Sequence, residues 1–166
     1  MASSKDRMAA AGVKVSDIMT SQPTTCSPST NLAAAAAAMM QSDCGVLPIV
    51  HEGKPVGVVT DRDMFIALGT RNKLASQVRV GEVAGKAVWT CGKDDDIRAA
   101  LATMKQHRIR RLPVIDAGGA LVGIVSMNDI LLETGADKDI RSDTVLDTMQ
   151  SICAHHHNLV PSAEAV

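Results

Sequence analysis

The chain has 166 residues, of which 46% are apolar, and its formal net charge at pH 7 is −1. A chain of this length supports one well-buried core and is too short for two large independent domains. The charge provides no general attraction to nucleic acid, and one Trp, one Phe and no Tyr provide no platform for single-stranded bases. We therefore expect no nucleic-acid partner.

The N-terminal segment, residues 1–14, is predicted to be flexible. It carries four charged side chains and has no apolar run of the length found in signal peptides. The alanine run Ala33–Ala38 is much shorter than a membrane span. We expect a cytoplasmic protein without a membrane-crossing segment.

Residues 15–68 are predicted to form a first repeat that mixes helices and strands. Val15–Thr20 leads into it, apolar residues at helical spacing follow a candidate capping residue, and two β-branched runs flank a turn with Gly and Pro. The predicted order begins with a short strand Thr24–Cys26 and a helix that starts after Ser29 or Thr30. This helix places five apolar residues on one face: Leu32, Ala35, Ala36, Met39 and Met40. Strands Val46–Val50 and Val56–Thr60 follow, and a helix from Asp61 to Leu68 ends the repeat.

Residues 79–134 repeat this order after a polar linker at 69–78. Pro48 and Pro113 are 65 residues apart, and the same offset aligns many spaced apolar positions, which indicates an internal duplication. One extra residue near Gly118 changes the offset to 66 for the closing motif. The predicted elements are a strand Val88–Cys91, a helix with Ile97, Ala100, Leu101 and Met104 on one face, strands Arg111–Ile115 and Leu121–Ser126, and a helix from Met127.

The last segment, residues 135–166, is predicted to contain a helix over 138–156 followed by a tail. The helix has one apolar face, so we expect it to pack against the repeats. The residues of that face are Val145, Met149, Ile152 and Cys153.

A polar motif, Gly-x-x-Thr/Ser-x-x-Asp, closes the second long strand of each repeat at 57–63 and 123–129. A hydroxyl at the N-cap and a carboxylate at N3 form a capping box, which needs no ligand. The same groups can serve a ligand, because N–H groups at a helix start attract anions and a carboxylate accepts two bonds from a ribose diol. Gly57 and Gly123 are expected to leave backbone uncovered, where a flat ring can approach.

The repeat resembles the CBS domain, and the tandem resembles a CBS pair, or Bateman module. The resemblance rests on Val15–Thr20, on His107–Val114 and on the two Gly-x-x-Thr/Ser-x-x-Asp segments, and it covers roughly Val15–Leu132. It implies an α+β fold in which two β-α-β-β-α repeats pack through their sheets by pseudo-twofold symmetry. It also implies two clefts that bind adenosine derivatives, and a homodimer.

The resemblance further implies a residue set for each cleft. In the family, the Thr or Ser and the Asp hold phosphate and ribose, while backbone from the loop that opens the other repeat surrounds the adenine. One cleft is expected to use Thr60, Arg62 and Asp63 with the Thr90-Cys91 loop. The other cleft is expected to use Ser126 and Asp129 with the Thr25-Cys26 loop. The site residues that precede the two Leu-Pro pairs are Val46, Arg110 and Arg111.

The repeats differ just before Leu-Pro, where the second has Arg110 and Arg111 and the first has Gly45 and Val46. We expect the arginines to give the cleft of the second motif a preference for phosphate-rich ligands. We expect Asp43 to weaken such binding in the cleft of the first motif. The alternative for the arginines is a solvated strand edge.

Other candidate sites are weaker. His155–His157 next to Cys153 lack ligand spacing, so we predict no metal site. No Cys or Ser has a sequence-evident His and carboxylate partner, so we predict no catalytic residue and no enzyme. Cys26 and Cys91 occupy equivalent positions and are expected to be buried fillers, with a thiol sensor as the alternative.

The sequence thus predicts a regulatory module that requires no cofactor and binds an adenine nucleotide as a regulatory ligand. Binding is expected to change its conformation and so signal to an unknown regulated protein. Two alternatives stay open: a dimerising scaffold with vestigial clefts, and a thiol-based redox regulator that uses Cys26 or Cys91.

Overall fold

The structure is a computed structural model that describes residues 12–85, 87–134 and 140–154. It confirms the predicted α+β class with two repeats, and no helix in these ranges is long and apolar enough to cross a membrane. In chain order the elements are α1 (Val15–Ile18), β1 (Thr20–Ser21), α2 (Leu32–Gln41), β2 (Val46–His51), β3 (Lys54–Thr60), α3 (Asp61–Arg71), two 3-10 turns (Ala75–Gln77 and Val80–Glu82), β4 (Cys91–Gly92), α4 (Ile97–His107), β5 (Arg111–Ile115), β6 (Leu121–Ser126), α5 (Met127–Leu132) and α6 (Ser142–Cys153).

Side-chain caps set where the first helix of each repeat begins. Asn31 caps α2 and Asp96 caps α4, each through an oxygen that accepts a backbone N–H of the first turn. The predicted caps of α2, Ser29 and Thr30, are wrong. Thr30 Oγ1 instead accepts the N–H of Ser27 at 3.0 Å and closes the turn before the helix.

Each repeat builds an antiparallel strand pair, β2 with β3 and β5 with β6. Strand β1 comes from the first repeat but adds to the edge of β6, so that the larger sheet has the order β1-β6-β5-β4. The predicted strand Thr24–Cys26 is reduced to one bridge between Cys26 and Ile49. The strand predicted at Val88–Cys91 lies at Cys91–Gly92.

The two repeats exchange their lead-in segments. Val15, before the first repeat, is fully buried in the core of the second repeat beside Leu112. Val80, its counterpart 65 residues later, is fully buried in the core of the first repeat beside Leu32. Burial of one such side chain contributes about 1.5–3 kcal/mol. Each core is therefore completed by the other repeat.

The C-terminal helix α6 packs against the repeats, as predicted, and the repeat that it contacts is the second. It begins at Ser142 and not at the predicted residue 138. Val145 is buried in that core, and Met149 packs against it. Thr148 is buried on the same face, and its hydroxyl donates to the carbonyl of Thr144 at 2.8 Å, so no buried polar group is left without a partner there. Cys153, predicted on this face, is exposed at the end of the helix.

Candidate functional site

Thr60 and Asp63 form a capping box at the start of α3. Thr60 Oγ1 accepts the N–H of Asp63 at 3.2 Å. Asp63 Oδ2 accepts the N–H of Thr60 at 2.9 Å and its hydroxyl at 2.7 Å. The structural role of this motif is therefore present, and it fixes the direction of both side chains.

Ser126 and Asp129 repeat this geometry at the start of α5. The corresponding distances are 3.2 Å, 2.8 Å and 2.7 Å. In both boxes the carboxylate caps the helix through Oδ2, so Oδ1 is the oxygen that can accept hydrogen bonds from a ligand. Capping and ligand binding are compatible at both motifs.

A cavity of about 350 Å³, which we call the Thr60 cleft, lies beside the first capping box. The first repeat contributes Val58 and the residues at 60–63. The second repeat contributes two segments, 87–89 and 109–111. The cleft thus joins a helix start of one repeat to a loop and a strand start of the other.

A cavity of about 440 Å³, the Ser126 cleft, lies beside the second capping box. Here the second repeat contributes Ser126, Asn128 and Asp129, and the first repeat contributes the segments 22–24 and 42–46. Residues 22–24 and 44–46 are the counterparts, 65 residues earlier, of 87–89 and 109–111 in the Thr60 cleft. Pseudo-twofold symmetry therefore generates both clefts, and each is shared between the repeats.

The predicted placement of Arg110 and Asp43 is wrong, whereas Arg111 lines the Ser126 cleft, where it was expected. Arg110 lines the Thr60 cleft, whereas Asp43 and Gly45, the counterpart of Arg110, line the Ser126 cleft. Val46 and Arg111, another equivalent pair, line both. The prediction assigned each residue to the motif of its own repeat, but the clefts form between repeats. The Thr60 cleft contains Arg62, Arg110 and Arg111 with Asp61 and Asp63, and the Ser126 cleft contains Arg111 with Asp43 and Asp129.

The predicted loops reach the predicted clefts, but through earlier residues. The lining segments are 87–89 and 22–24. Four residues that were predicted to line the clefts lie outside the lining of both, namely Thr25, Cys26, Thr90 and Cys91. Cys26 and Cys91 are buried in the cores, because their backbones pair with neighbouring strands that turn the side chains inward.

Gly57 and Gly123 do not expose backbone to a ligand ring, contrary to the prediction. A Cβ on Gly123 would lie 2.5 Å from Sδ of Met19 and 3.0 Å from the carbonyl oxygen of Thr20. A Cβ on Gly57 would lie 3.6 Å from the carbonyl oxygen of Gly85. The lead-in segment of the other repeat covers each glycine, so the glycines permit that exchange.

The candidate sites outside the clefts gain little support. Burial raises the pKa of Cys26 to about 11, and burial together with Asp95 raises the pKa of Cys91 to about 12. Since the thiolate is the reactive form, these values oppose a thiol sensor at neutral pH. His155–His157 lie outside the described residues, and within the described ranges no three His, Cys, Asp or Glu side chains are placed to hold a metal ion.

Trp89 and Ile109 line the Thr60 cleft, although the polar motif does not point to them. Trp89 is 44% exposed, and its counterpart Thr24 lines the Ser126 cleft. A signal for both residues exists in the sequence. The 65-residue offset, combined with pseudo-twofold symmetry, assigns the loop and strand start of each repeat to the motif of the other.

Comparison with known proteins identifies the family. The family model for the CBS domain matches residues 15–70 and again residues 80–134. The chain belongs to the CBS domain family. The CBS domain-containing protein YhcV of Bacillus subtilis is 35% identical over 116 residues, which are 70% of this chain and 81% of YhcV. The resemblance read from the sequence is confirmed.

Two solved CBS structures with bound ligands are similar to this CBS pair. The CBS domain pair of protein MJ0100 in complex with 5′-methylthioadenosine and S-adenosyl-L-methionine is 31% identical, with a TM-score of 0.66 over 74% of this chain and 100% of that chain. CBSX2 in complex with AMP is 27% identical, with a TM-score of 0.63 over 73% of this chain and 95% of that chain. CBS pairs similar to this chain thus bind adenosine derivatives.

Proposed function

We propose that this CBS pair is a regulatory module that binds a phosphorylated adenosine, such as AMP, ADP or ATP, in the Thr60 cleft. The observation that carries the proposal is the convergence of Arg62, Arg110 and Arg111 on a cavity that also holds the start of α3. Charge-assisted bonds from arginine to phosphate are short and strong. The positive end of the α3 dipole favours the same anion.

The remaining residues of the Thr60 cleft suit the nucleoside part of such a ligand. Asp63 Oδ2 is held by the capping box, which leaves Oδ1 for the ribose hydroxyls. Val58 and Ile109 provide apolar walls for the base. The AMP complex of CBSX2 supports this choice of ligand.

For the Ser126 cleft we propose a less anionic adenosine derivative. Asp43 and Asp129 line it with Arg111, and Asn128 stands at the position that Arg62 occupies in the Thr60 cleft. Two carboxylates beside one guanidinium disfavour a triphosphate and favour a neutral or cationic group. S-adenosylmethionine carries a positive sulfonium, and the MJ0100 complex shows a related CBS pair with that ligand.

Calorimetry on cleft-specific variants tests both assignments. Asp63→Ala should remove the tight binding of ATP, and Asp129→Ala should leave it largely intact. Each change also removes a cap, which costs about 1 kcal/mol of stability, so circular dichroism must show that both variants are folded. The reverse pattern would reject the assignment, and no binding of any adenosine compound by the unaltered chain would favour the dimerising scaffold.

The proposed output is conformational. A ligand that contacts both repeats stabilises one packing of the pair, and a partner with different affinity for that packing responds to it. The regulated activity in this proposal belongs to an unidentified partner protein in the cytoplasm. The chain itself has no catalytic role and requires no cofactor.

We also propose a homodimer formed through α3 and α5. Phe65 and Ile66 are 78% and 48% exposed, and their counterparts Leu131 and Leu132 are 57% and 79% exposed. Two equivalent apolar patches suit a twofold contact with a second copy. Ile130, which precedes Leu131 in α5, is buried in the core. Light scattering at micromolar concentration should give the dimer mass, and a monomer mass would reject the contact.

A further inference from the structure

The indole of Trp89 stacks on the imidazole of His107 at the edge of the Thr60 cleft. The ring centroids are 3.5 Å apart, and the ring planes differ by 12°. Trp89 lines the cavity and is 44% exposed, so a large apolar ring stays in contact with water at a concave site. Such a surface favours a flat apolar ligand group.

The equivalent place in the first repeat holds a different pair. Thr24 and Ser42 precede Trp89 and His107 by 65 residues, and their hydroxyl oxygens are 2.7 Å apart. Both line the Ser126 cleft. The same contact, between a loop and the end of the first helix, is therefore made by two hydroxyls in one cleft and by two rings in the other.

We propose that Trp89 is the ring on which the purine base stacks in the Thr60 cleft. This inference rests on the proposed function, since it names the residue that recognises the base of the same ligand. His107 covers one face of the indole, so an entering ring contacts the other face. His107 is thus a positioning residue, which holds the indole plane before the ligand arrives.

Binding of AMP to single variants tests the stack. Stacking of one base on an aromatic side chain is worth roughly 5- to 150-fold in affinity, and Trp89→Leu should weaken AMP by that factor. Trp89→Phe should restore most of the loss, because a ring is retained. His107→Ser, which introduces the first-repeat residue, should weaken AMP by less than Trp89→Leu. Leu74→Ala, at an exposed apolar residue outside the clefts, is the matched control and should leave the affinity unchanged.

Fluorescence gives a second readout, because Trp89 is the one tryptophan of the chain. AMP should quench its emission in the unaltered chain, and Asp63→Ala should remove the quenching at the same AMP concentration. Equal AMP affinity of Trp89→Leu and the unaltered chain overturns the inference, as does unchanged emission at AMP saturation. If AMP binding depends on Asp63 but not on Trp89, the proposed function stands and the stack alone fails. No AMP binding by the unaltered chain overturns both.

Discussion

The Thr60 cleft and the Ser126 cleft share one anchor and differ in their walls. Their capping boxes superimpose bond for bond, with an N–H to Oδ2 distance of 2.9 Å in one and 2.8 Å in the other. The walls differ at nearly every equivalent position, with Arg110 against Gly45 as the largest change. Duplication has therefore kept the part that the helix start requires and has varied the part that faces a ligand.

The backbone just after the first helix is nevertheless alike in the two repeats. Asp43 and Arg108 end the first helix of their repeats at equivalent positions, with φ of 48° and 53°. This left-handed conformation is costly for both side chains, yet it is kept in both repeats. Side chains of opposite charge therefore occupy the same backbone geometry in the two repeats.

The largest expected effect is on the rate of thiol alkylation, which should be much lower for the two cysteines in the cores than for the cysteine that lines a cleft. Cys44 lines the Ser126 cleft, while Cys26 and Cys91 are buried. Burial raises the pKa of Cys26 to about 11 and that of Cys91 to about 12 from the ordinary 9.0, so both thiols should be at least about 100-fold less ionised at pH 8 than they would be at the ordinary pKa. Alkylation with iodoacetamide, followed by mass spectrometry, should modify them last.

The same pKa shifts set a pH window for stability. A raised pKa means that the folded state favours the protonated thiol. The contribution of Cys26 to the free energy of unfolding is therefore complete below pH 9 and is lost as the pH rises towards 11.

Labelling of Cys26 or Cys91 as fast as Cys153 at pH 8 would contradict the assignment of both thiols to the cores. Protection of Cys44 by a ligand would report occupancy of the Ser126 cleft alone.

The next effect concerns the arginine that distinguishes the walls. Arg110→Ala should weaken ATP binding to the Thr60 cleft by roughly 10- to 100-fold, because it removes charge-assisted bonds to phosphate. Adenosine, which has no phosphate, should bind as before. Arg79→Ala removes an exposed arginine outside both clefts and serves as the control. An equal loss for adenosine and ATP would show that Arg110 supports the fold of the cleft and not the phosphate.

The glycines of the two motifs should respond unequally to a methyl group. Gly123→Ala places Cβ 2.5 Å from Sδ of Met19 and 3.0 Å from a backbone oxygen, whereas Gly57→Ala meets Cδ1 of Ile49 at 3.2 Å. Overpacking of this kind costs about 1–3 kcal/mol. Urea denaturation should show the larger loss for Gly123→Ala. A larger loss of stability for Gly57→Ala would mean that the lead-in segment of the first repeat packs more loosely on β6 than the lead-in segment of the second repeat packs on β3.

The long strands and the capping motifs were predictable because their signals are local, whereas the short strand predicted at Thr24–Cys26 is a single bridge. Strands β5 and β6 lie where alternating and β-branched residues place them, and the hydroxyl and carboxylate of each motif are three residues apart. The exchange of Val15 and Val80 was not predictable in this way. Both are ordinary apolar residues, and their partners depend on how the two repeats are placed in space.

The error about the arginines has the same origin. Arg110 is close in sequence to Ser126 but lines the cleft of Thr60. Sequence distance determines the strand on which a side chain lies, whereas the symmetry between repeats determines the cavity that it faces. The stack of Trp89 on His107 likewise joins a loop residue to the end of α4, so the periodicity of one helix or strand does not relate them.

The smallest expected effect is a gain of affinity in the weaker cleft. Asp43→Asn removes one of the two carboxylates that line the Ser126 cleft, and Asn tolerates the left-handed conformation at this position. Measured by calorimetry in the Asp63→Ala background, ATP affinity should rise by roughly two- to fivefold, in keeping with the modest energy of an exposed charge. The gain should shrink at high salt, because exposed charges are screened. Glu52→Gln, at another exposed left-handed residue outside both clefts, should leave ATP affinity unchanged. An equal gain of ATP affinity from both variants would indicate a general charge effect and would show that Asp43 does not act from the wall of the Ser126 cleft.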